Sequence, residues 1–273
     1  MMLQRISGVI KTDEEIELIR ISSLLVGKTL ALMAAHLKPG INTLYLDQLA
    51  EEFIRDQDAK PVFKGYNGFP ASLCISVNEE VVHGIPGKRE LKDGDVVSID
   101  CGIEKNGFIG DSAYTFAIGE VSDENIRLLR VTHECLNQAI EAAVAGNRVG
   151  DISYAVQSHA EANGYGVVRE LVGHGVGKSL HEKPEVPNYG KRGTGPMLKE
   201  GMVLAIEPMI NRGVRHVKTL ADHWTVVTAD RLPAAHYEHN VAVRKNKSEV
   251  LSSFKEIIEA EKRNSNLNTK HHL

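Results

Sequence analysis

The sequence predicts an α+β domain made of two similar halves, and two spacings in the chain indicate this. Residues 91–100 are LKDGDVVSID and residues 198–207 are LKEGMVLAIE, with five identical positions and an offset of 107 residues. In each copy a polar turn precedes an apolar run typical of a buried strand, and the run ends in a carboxylate. Gly40 and Gly146, which follow predicted helices, lie 106 residues apart. An internal duplication explains both spacings.

Two predicted helices precede each copy of the repeated phrase. Thr12 and Glu15 form a capping box at the start of the first helix, and Ser122 or Asp123 caps the third. The helices are predicted at about residues 13–37, 44–56, 122–145 and 151–162. The sequence therefore predicts one domain over residues 1–273, with halves at about 12–112 and 120–240 and a C-terminal helix or tail at about 248–273.

The composition limits the classes of function. A net charge of −4 and a pI near 6.3 give no electrostatic basis for binding nucleic acid or an anionic membrane. No continuous apolar run approaches 18 residues and no signal-peptide pattern is found, so neither a membrane span nor export is expected. Three scattered cysteines favour a cytoplasmic protein without disulfides. The polar segment from Asn264 is predicted to be a frayed tail, with His271 and His272 solvated.

A predicted hairpin brings two aspartates to one face. Residues 106–107 are Asn-Gly, the strongest short signal for a two-residue type I′ turn. This turn sets Gly102 opposite Asp111 and places Asp100 diagonally from Asp111, with Cβ atoms roughly 7–8 Å apart. That separation suits two carboxylates converging on a metal ion, and Gly102 is expected to leave room for the ion.

Other candidate site residues are histidines beside glycine or proline and glutamates in or after short strands. His174 lies between glycines, His181 precedes a proline-rich loop, and His83 is followed by Gly-Ile-Pro. Glu207 ends the second copy of the repeat, and Glu238 lies in a further short strand. Four carboxylates and one imidazole carry enough charge for two divalent ions, which lower the pKa of a shared water. This chemistry predicts a dinuclear hydrolase of amides or phosphoesters. Phosphoester hydrolysis would be favoured by a phosphate-binding loop or a basic clamp beside the site, and the sequence shows neither.

The combined motifs resemble the type I methionine aminopeptidases over about residues 12–243. The motifs are HGIP at His83, SIDCG at Asp100, GDSAYTF at Asp111, GHGVG at His174, HEKP at His181, AIEPM at Glu207 and HYEH around Glu238. The resemblance implies the pita-bread fold, a pseudo-two-fold, curved, mostly antiparallel sheet flanked by two helix pairs. It also implies removal of the initiator methionine from nascent proteins and peptides with a small second residue, by a water that bridges two divalent metals.

The resemblance further implies a ligand set for two ions of Co, Mn, Fe or Zn, whose identity the sequence does not determine. Asp111 and Glu238 are expected to bridge the two ions. Asp100 completes the shell of one ion, and His174 with Glu207 completes the other. Glu207 is also the expected proton shuttle for the bridging water.

The resemblance assigns the remaining site residues to substrate. His83 is expected near the scissile nitrogen, and His181 near the carbonyl or the developing oxyanion. The methionine side chain is expected to contact Phe63, Tyr66, Phe69, Cys74, Leu180 and Trp224. An apolar, polarisable pocket with aromatic edges suits a thioether. The chain departs from the usual family residues at Asn67, Leu180, His223 and His236.

Two other functions remain open from the sequence. The Xaa-Pro aminopeptidases share the fold but carry a large N-terminal domain, whereas about a dozen residues precede the first predicted helix here. Non-catalytic relatives that bind peptides or ribosomes are expected to lose ligands, and this chain has all five. The expected partners are N-terminal methionyl peptides and nascent chains near the ribosome, with no nucleic acid and no membrane, and the protein is expected to be a monomer.

Overall fold

The computed structural model describes residues 10–272, in which the four predicted helices are present together with a C-terminal one. The α-helices are α1 (Asp13–His36), α2 (Thr43–Asp56), α3 (Asp123–Ala142), α4 (Val149–Ala162) and α5 (Lys255–Arg263), and the 3₁₀ helices are Tyr66–Gly68 and Lys270–His272. Helix α4 begins earlier than expected because the Asp151 carboxylate accepts a hydrogen bond from the Arg148 backbone N–H at 2.7 Å, which makes Asp151 the third helical residue. Helix α3 ends at Ala142 instead of about residue 145.

Helix α1 begins as predicted and belongs to the core. The Thr12 hydroxyl accepts from the Glu15 N–H at 3.2 Å, and the Glu15 carboxylate accepts from the Thr12 N–H at 3.1 Å, which confirms the capping box. By length and composition alone α1 could cross a membrane, but 56% of its apolar window is buried inside the protein. It packs so closely on the sheet that a Cβ added at Gly110 would collide with the backbone of Ser23. These features describe the central helix of a folded domain.

Apart from the ten-residue β4 and β5, the strands of the described residues are short, and all strand pairings are antiparallel. They are β1 (Lys60–Pro61), β2 (Leu73–Val77), β3 (Glu80–Val82), β4 (Val96–Lys105), β5 (Phe108–Ala117), β6 (Gly166–Val167), β7 (Val172–Gly175), β8 (Glu182–Pro187), β9 (Val203–Ile206), β10 (Met209–Asn211), β11 (Val217–Thr219), β12 (Val226–Thr228), β13 (Ala234–His236), β14 (His239–Ala242) and β15 (Glu249–Val250). In the first half β4 pairs with β1, β2 and β5. In the second half a five-stranded sheet has the order β15-β14-β9-β7-β8. The predicted α+β class is confirmed.

The β4–β5 hairpin has the predicted register. Lys105 pairs with Phe108, and Gly102 pairs with Asp111. The expectation that Gly102 leaves room for an ion is wrong, because a Cβ there would lie 2.6 Å from Phe63 Cε1 and 2.7 Å from Val62 Cγ2. The missing side chain of Gly102 instead admits the Phe63 ring to the face that carries Asp111.

The two copies of the repeated phrase fold alike at their turns. Gly94 and Gly201 both adopt φ +88°, and the helix-terminating Gly40 and Gly146 adopt φ +84° and +97°. Positions with positive φ favour glycine because a Cβ there would clash with the backbone. The repeated phrase therefore encodes the same turn and strand entry in each half.

The prediction of a frayed C-terminal tail is wrong for residues 264–272. The Asn264 side chain donates to the carbonyls of Ala34 at 2.8 Å and Leu37 at 2.7 Å, at the end of α1. The Gly119 N–H donates to the Asn266 carbonyl at 2.7 Å, and His271 is only 3% exposed. The polar groups of this segment form hydrogen bonds with the folded domain. A polar sequence therefore did not indicate a solvated tail.

Candidate metal centre and substrate pocket

The structure places every residue that the sequence assigned to ligation, catalysis or methionine binding on the wall of one cavity of about 320 Å³. These residues are Asp100, Asp111, His174, Glu207, Glu238, His83, His181, Phe63, Tyr66, Phe69, Cys74, Leu180 and Trp224. The carboxylates and His174 come from both halves of the chain. The cavity therefore forms where the two halves meet.

Two strands of one hairpin position the aspartates. Asp100 lies in β4 and pairs with Ala113, and Asp111 lies in β5 opposite Gly102. The two acids share a face because side chains alternate along a strand. On the other edge of β4, Cys74 of β2 pairs with Asp100, which brings the thiol beside the acids.

Three strands of the second half position the other candidate ligands. His174 of β7 pairs with Ala205 of β9, and Ile206 at the end of β9 pairs with His239 of β14. The next residues outward from that last pair are Glu207 and Glu238, so the two glutamates meet at the same end of the sheet. The prediction that Glu238 lies in a strand is wrong, because it falls in the short link between β13 and β14. The Glu238 N–H donates to the Ala113 carbonyl of β5 at 2.9 Å, which joins this end to the aspartate hairpin.

His174 is held with one ring nitrogen facing the acids. Its Nδ1 lies 2.9 Å from the Gly175 carbonyl, so an Nδ1–H donor leaves the Nε2 lone pair free. Nε2 lies 3.5 Å from Glu207 Oε1 and 3.9 Å from Asp111 Oδ2. Burial lowers the pKa of His174 to about 4, so the imidazole is neutral at pH 7. A neutral imidazole with a fixed tautomer is the form that binds a divalent ion.

The buried carboxylates lack enough partners of their own. Asp100 Oδ1, Asp111 Oδ1 and Glu238 Oε1 are buried atoms without a hydrogen-bond partner. Burial raises the pKa of Asp100 to about 7, and it raises the pKa of Asp111, Glu207 and Glu238 well above their usual range, with repulsion among the acids as a further cause. Cations remove this penalty. The oxygen-rich set with one imidazole fits divalent metal ions, and Asp111, His174 and Glu238 offer ligand atoms within 4.8 Å of one another.

Asn240 orients the hairpin acid, a contact that the motifs did not indicate. The Asn240 side-chain oxygen accepts from the Asp111 N–H at 2.7 Å and from the Ser23 hydroxyl of α1 at 2.9 Å. The Ser112 hydroxyl donates to the Glu238 carbonyl at 2.6 Å. An isolated asparagine in a short apolar strand carries no sequence signal for this role, because the contact depends on packing between distant segments.

Two histidines lie beside the acids. The Tyr66 hydroxyl lies 2.6 Å from His181 Nδ1, and the His181 ring centroid is 4.3 Å from that of His174. His83 follows β3 with a left-handed φ of 59°, and its ring stands edge-on to Trp224 at 6.3 Å. Burial lowers the pKa of His83 to about 4, and it also lowers the pKa of His181.

The remainder of the cavity is largely apolar. Phe69 packs edge-on against Trp224 with ring centroids 5.1 Å apart, and Phe63, Cys74 and Leu180 are buried. The sequence did not single out four further lining residues, Val82, Leu171, Val172 and Met209. Their composition matches ordinary core residues, so only the tertiary structure identifies them as cavity wall.

The four departures from the usual family residues lie in or beside this cavity. Asn67, Leu180 and His236 line it, and the exposed His223 precedes Trp224. His236 is buried with Nε2 unpartnered, 3.9 Å from Glu207 Oε2. The departures therefore alter the wall around the candidate ligands and leave the five ligands themselves unchanged.

Comparisons with known proteins agree with this geometry. The sequence pattern of metallopeptidase family M24 matches residues 17–245. A methionine aminopeptidase of Clostridium acetobutylicum is 55% identical over 245 residues, which covers 89% of this chain and 98% of the relative. Methionine aminopeptidase 1 of Bacillus subtilis is 52% identical over 244 residues, which covers 89% of this chain and 98% of the relative.

Solved structures give the same result. The crystal structure of methionine aminopeptidase from Rickettsia prowazekii superposes with a TM-score of 0.88 at 40% identity, covering 89% of this chain and 99% of that one. An Xaa-Pro dipeptidase from Bacillus anthracis shares the fold alone, with a TM-score of 0.75 at 21% identity and 64% of its length covered. The chain has the pita-bread fold and belongs to metallopeptidase family M24, among its methionine aminopeptidases.

Proposed function

We propose that this protein removes the N-terminal methionine from peptides and nascent chains, and that Asp111 and Glu238 would each serve as a ligand to both of two divalent ions. Asp100 would be a further ligand to one ion, and His174 and Glu207 would be further ligands to the other. The observation that carries the proposal is the set of unpartnered buried carboxylate oxygens at one end of an apolar cavity of about 320 Å³. The ions supply Lewis-acid polarisation and a water acidic enough to attack a peptide carbonyl near neutral pH.

His181 is proposed to stabilise the oxyanion that forms on the attacked carbonyl. The Tyr66 hydroxyl lies 2.6 Å from His181 Nδ1, and in the tautomer in which the O–H donates to that nitrogen, Nε2–H is a donor toward the substrate. Burial lowers the pKa of His181, which favours the neutral ring that this arrangement needs. A positioned donor of this kind is worth roughly 10²–10³ in rate.

Glu207 and His83 are proposed to act around the scissile nitrogen. Glu207 lies just beyond the end of β9 with its side chain 14% exposed, which suits a group that takes a proton from the attacking water and returns it to the leaving amine. His83 stands edge-on to Trp224 on the wall of the same cavity as the acids, which places it where a bound substrate backbone can be contacted.

The apolar end of the cavity is proposed to select methionine. Phe69, Trp224 and Cys74 surround a space suited to one unbranched side chain, and aromatic edges favour a thioether sulfur. The free α-amine of the substrate binds at the acidic end, which limits cleavage to one residue. His83 and His181 crowd the position of the second residue, so a small residue is preferred there.

A cytoplasmic location, a monomeric state and encounters with nascent chains near the ribosome complete the proposal. The three cysteines are unpaired and buried, which fits a reducing compartment. All of the candidate ligands and methionine-pocket residues come from one chain, which is compatible with a monomer. Sedimentation of the protein alone tests the monomeric state, and sedimentation with ribosomes tests the encounter with nascent chains.

The test is a competition among substrates with protein reconstituted with Mn²⁺, Co²⁺, Fe²⁺ or Zn²⁺. Met-Ala-Ser should be cleaved. Norleucyl-Ala-Ser should also be cleaved, with a kcat/KM lower by the equivalent of roughly 1–3 kcal/mol, the cost of a small change in an apolar pocket. Ala-Pro-Ala and a phosphate ester should not be cleaved. Glu207→Gln should abolish turnover, whereas Glu200→Gln, at the exposed turn of the same repeat copy, should retain it. Comparable kcat/KM for Met-Ala-Ser and Leu-Ala-Ser would contradict methionine specificity, and cleavage of Ala-Pro-Ala alone would favour the Xaa-Pro alternative.

A further inference from the structure

A second group of metal-binding side chains lies outside the active-site cavity, where the C-terminal segment folds against α5. Glu261 of α5 and His271 and His272 of the last 3₁₀ turn each offer a ligand atom, and the three atoms lie within 4.8 Å of one another. Glu261 is fully buried and His271 is 3% exposed. The sequence interpretation treated both histidines as solvated tail, so neither has a role in the proposed function.

The Glu261 carboxylate is only half satisfied. Its Oε2 accepts from the Tyr114 hydroxyl at 2.8 Å and lies 2.7 Å from His272 Nε2. Its Oε1 is buried without a hydrogen-bond partner, and His271 Nε2 lies 3.9 Å from it. An ionised carboxylate buried in this way carries a desolvation penalty that a cation offsets.

We propose that Glu261, His271 and His272 form a structural binding site for Zn²⁺, which fastens the C-terminal segment to the domain. Two imidazoles and one carboxylate are typical zinc ligands, with bonds of about 2.0–2.2 Å. The hydrogen bond from Tyr114 holds the carboxylate, as partners of metal ligands commonly do. The side chain of His272 is 15% exposed, which gives the ion a route in and leaves a position for water.

An ordinary ion pair between His272 and Glu261 explains less of this geometry. It leaves Glu261 Oε1 unpartnered and gives the buried His271 only a 3.5 Å contact from Nε2 to the Tyr114 hydroxyl, although its ring centroid lies 4.1 Å from that of His272. His271 Nδ1 is also buried without a hydrogen-bond partner, which an ion pair between His272 and Glu261 does not explain.

The site is separate from the active centre. Tyr114 and Asp111 lie three residues apart in β5, and alternation along a strand directs them to opposite faces of the sheet. Loss of this zinc should therefore loosen the segment over residues 264–272 and leave the catalytic groups in place.

The test counts Zn²⁺ per chain after dialysis against a zinc buffer. His271→Ala/His272→Ala should bind one ion fewer than the unaltered protein and should still cleave Met-Ala-Ser. The matched control His36→Ala/His216→Ala removes two histidines elsewhere and should keep the full count. An equal count in the first double variant and the unaltered protein overturns the proposal.

A second measurement guards against misfolding of the double variant. In an Asp111→Ala/Glu238→Ala background, which removes both bridging acids, Zn²⁺ should still raise the Tm. Adding the single, partly exposed His272→Ala or the isosteric Glu261→Gln should remove that rise, with far-UV circular dichroism unchanged. A zinc-dependent rise in Tm that persists in both variants contradicts the site.

Discussion

The two halves of the molecule deliver their acids to the cavity in different ways. In the first half, Asp100 and Asp111 come from one hairpin whose register is set by a two-residue turn. In the second half, His174 lies within β7, Glu207 directly follows β9, and Glu238 lies between β13 and β14. The duplicated phrase accounts for one acid in each half. The ligands that make the centre asymmetric come from parts of the chain where the halves have diverged.

The repeated strands also end differently. Strand β4 continues past Asp100 to Lys105, so this acid is fixed within a hydrogen-bonded ladder. Strand β9 ends at Ile206, so Glu207 lies just beyond the ladder and its side chain is 14% exposed. The acid that is held firmly suits a pure ligand, and the acid at a strand end suits a group that also moves a proton.

The largest expected effect is the loss of a bridging acid from either half. Asp111→Ala and Glu238→Ala should each lower metal affinity and kcat/KM by more than the 10–100-fold typical of an outer-shell partner, because each acid serves both ions. Asp100→Ala should affect chiefly one ion. Metal content and Met-Ala-Ser cleavage measure both quantities, and full activity of Asp111→Ala with added metal would rule out the bridging assignment.

The contact between Tyr66 of the first half and His181 of the second gives a smaller effect. His181→Ala should keep its metal content while kcat falls roughly 10²–10³-fold. Tyr66→Phe removes one hydrogen bond, worth about 0.5–1.5 kcal/mol, and should lower kcat by about tenfold or less. Loss of metal in proportion to activity in His181→Ala would make it a metal ligand instead.

The metal-free protein should become less stable as pH rises. Burial raises the pKa of Asp100 from its ordinary 3.8 to about 7. A carboxyl group whose pKa is raised by folding contributes stability that is fully present below pH about 4 and is lost as pH rises through about 7. Urea denaturation of chelator-treated protein should show this fall, and Asp100→Asn should make it shallower, because Asp111, Glu207 and Glu238 still contribute to it. Divalent metal should also remove the fall, and parallel pH profiles for the two metal-free proteins would contradict the electrostatic account.

The last prediction compares the two repeat turns directly and concerns stability instead of activity. Gly94 and Gly201 share φ +88°, so either alanine substitution should cost about 1–2 kcal/mol in backbone strain. A Cβ at Gly201 would also lie 2.8 Å from the Lys11 carbonyl oxygen, whereas one at Gly94 would lie 3.5 Å from that of Glu120. Gly201→Ala should therefore lower the free energy of unfolding more than Gly94→Ala, and the reverse order in urea denaturation would break the comparison.

Local signals in the sequence predicted the features that local chemistry controls. The capping box of α1, the Asn-Gly turn of the hairpin and the glycine turns of the repeat each depend on a few neighbouring residues. Asn240 and Met209 were missed because their roles depend on contacts between distant strands. Gly102 and the C-terminal segment were misjudged for the same reason, since Phe63 and Tyr114 reach them from elsewhere in the fold.

Anomalous diffraction from crystals loaded with Mn²⁺ tests the central claim most directly. The expected result is two adjacent peaks in the cavity, both within bonding distance of Asp111 and Glu238, with Asp100 on one and His174 and Glu207 on the other. A manganese-loaded crystal that cleaves Met-Ala-Ser but shows no peak between Asp111 and Glu238 would contradict the proposal that the two halves jointly hold a dinuclear centre.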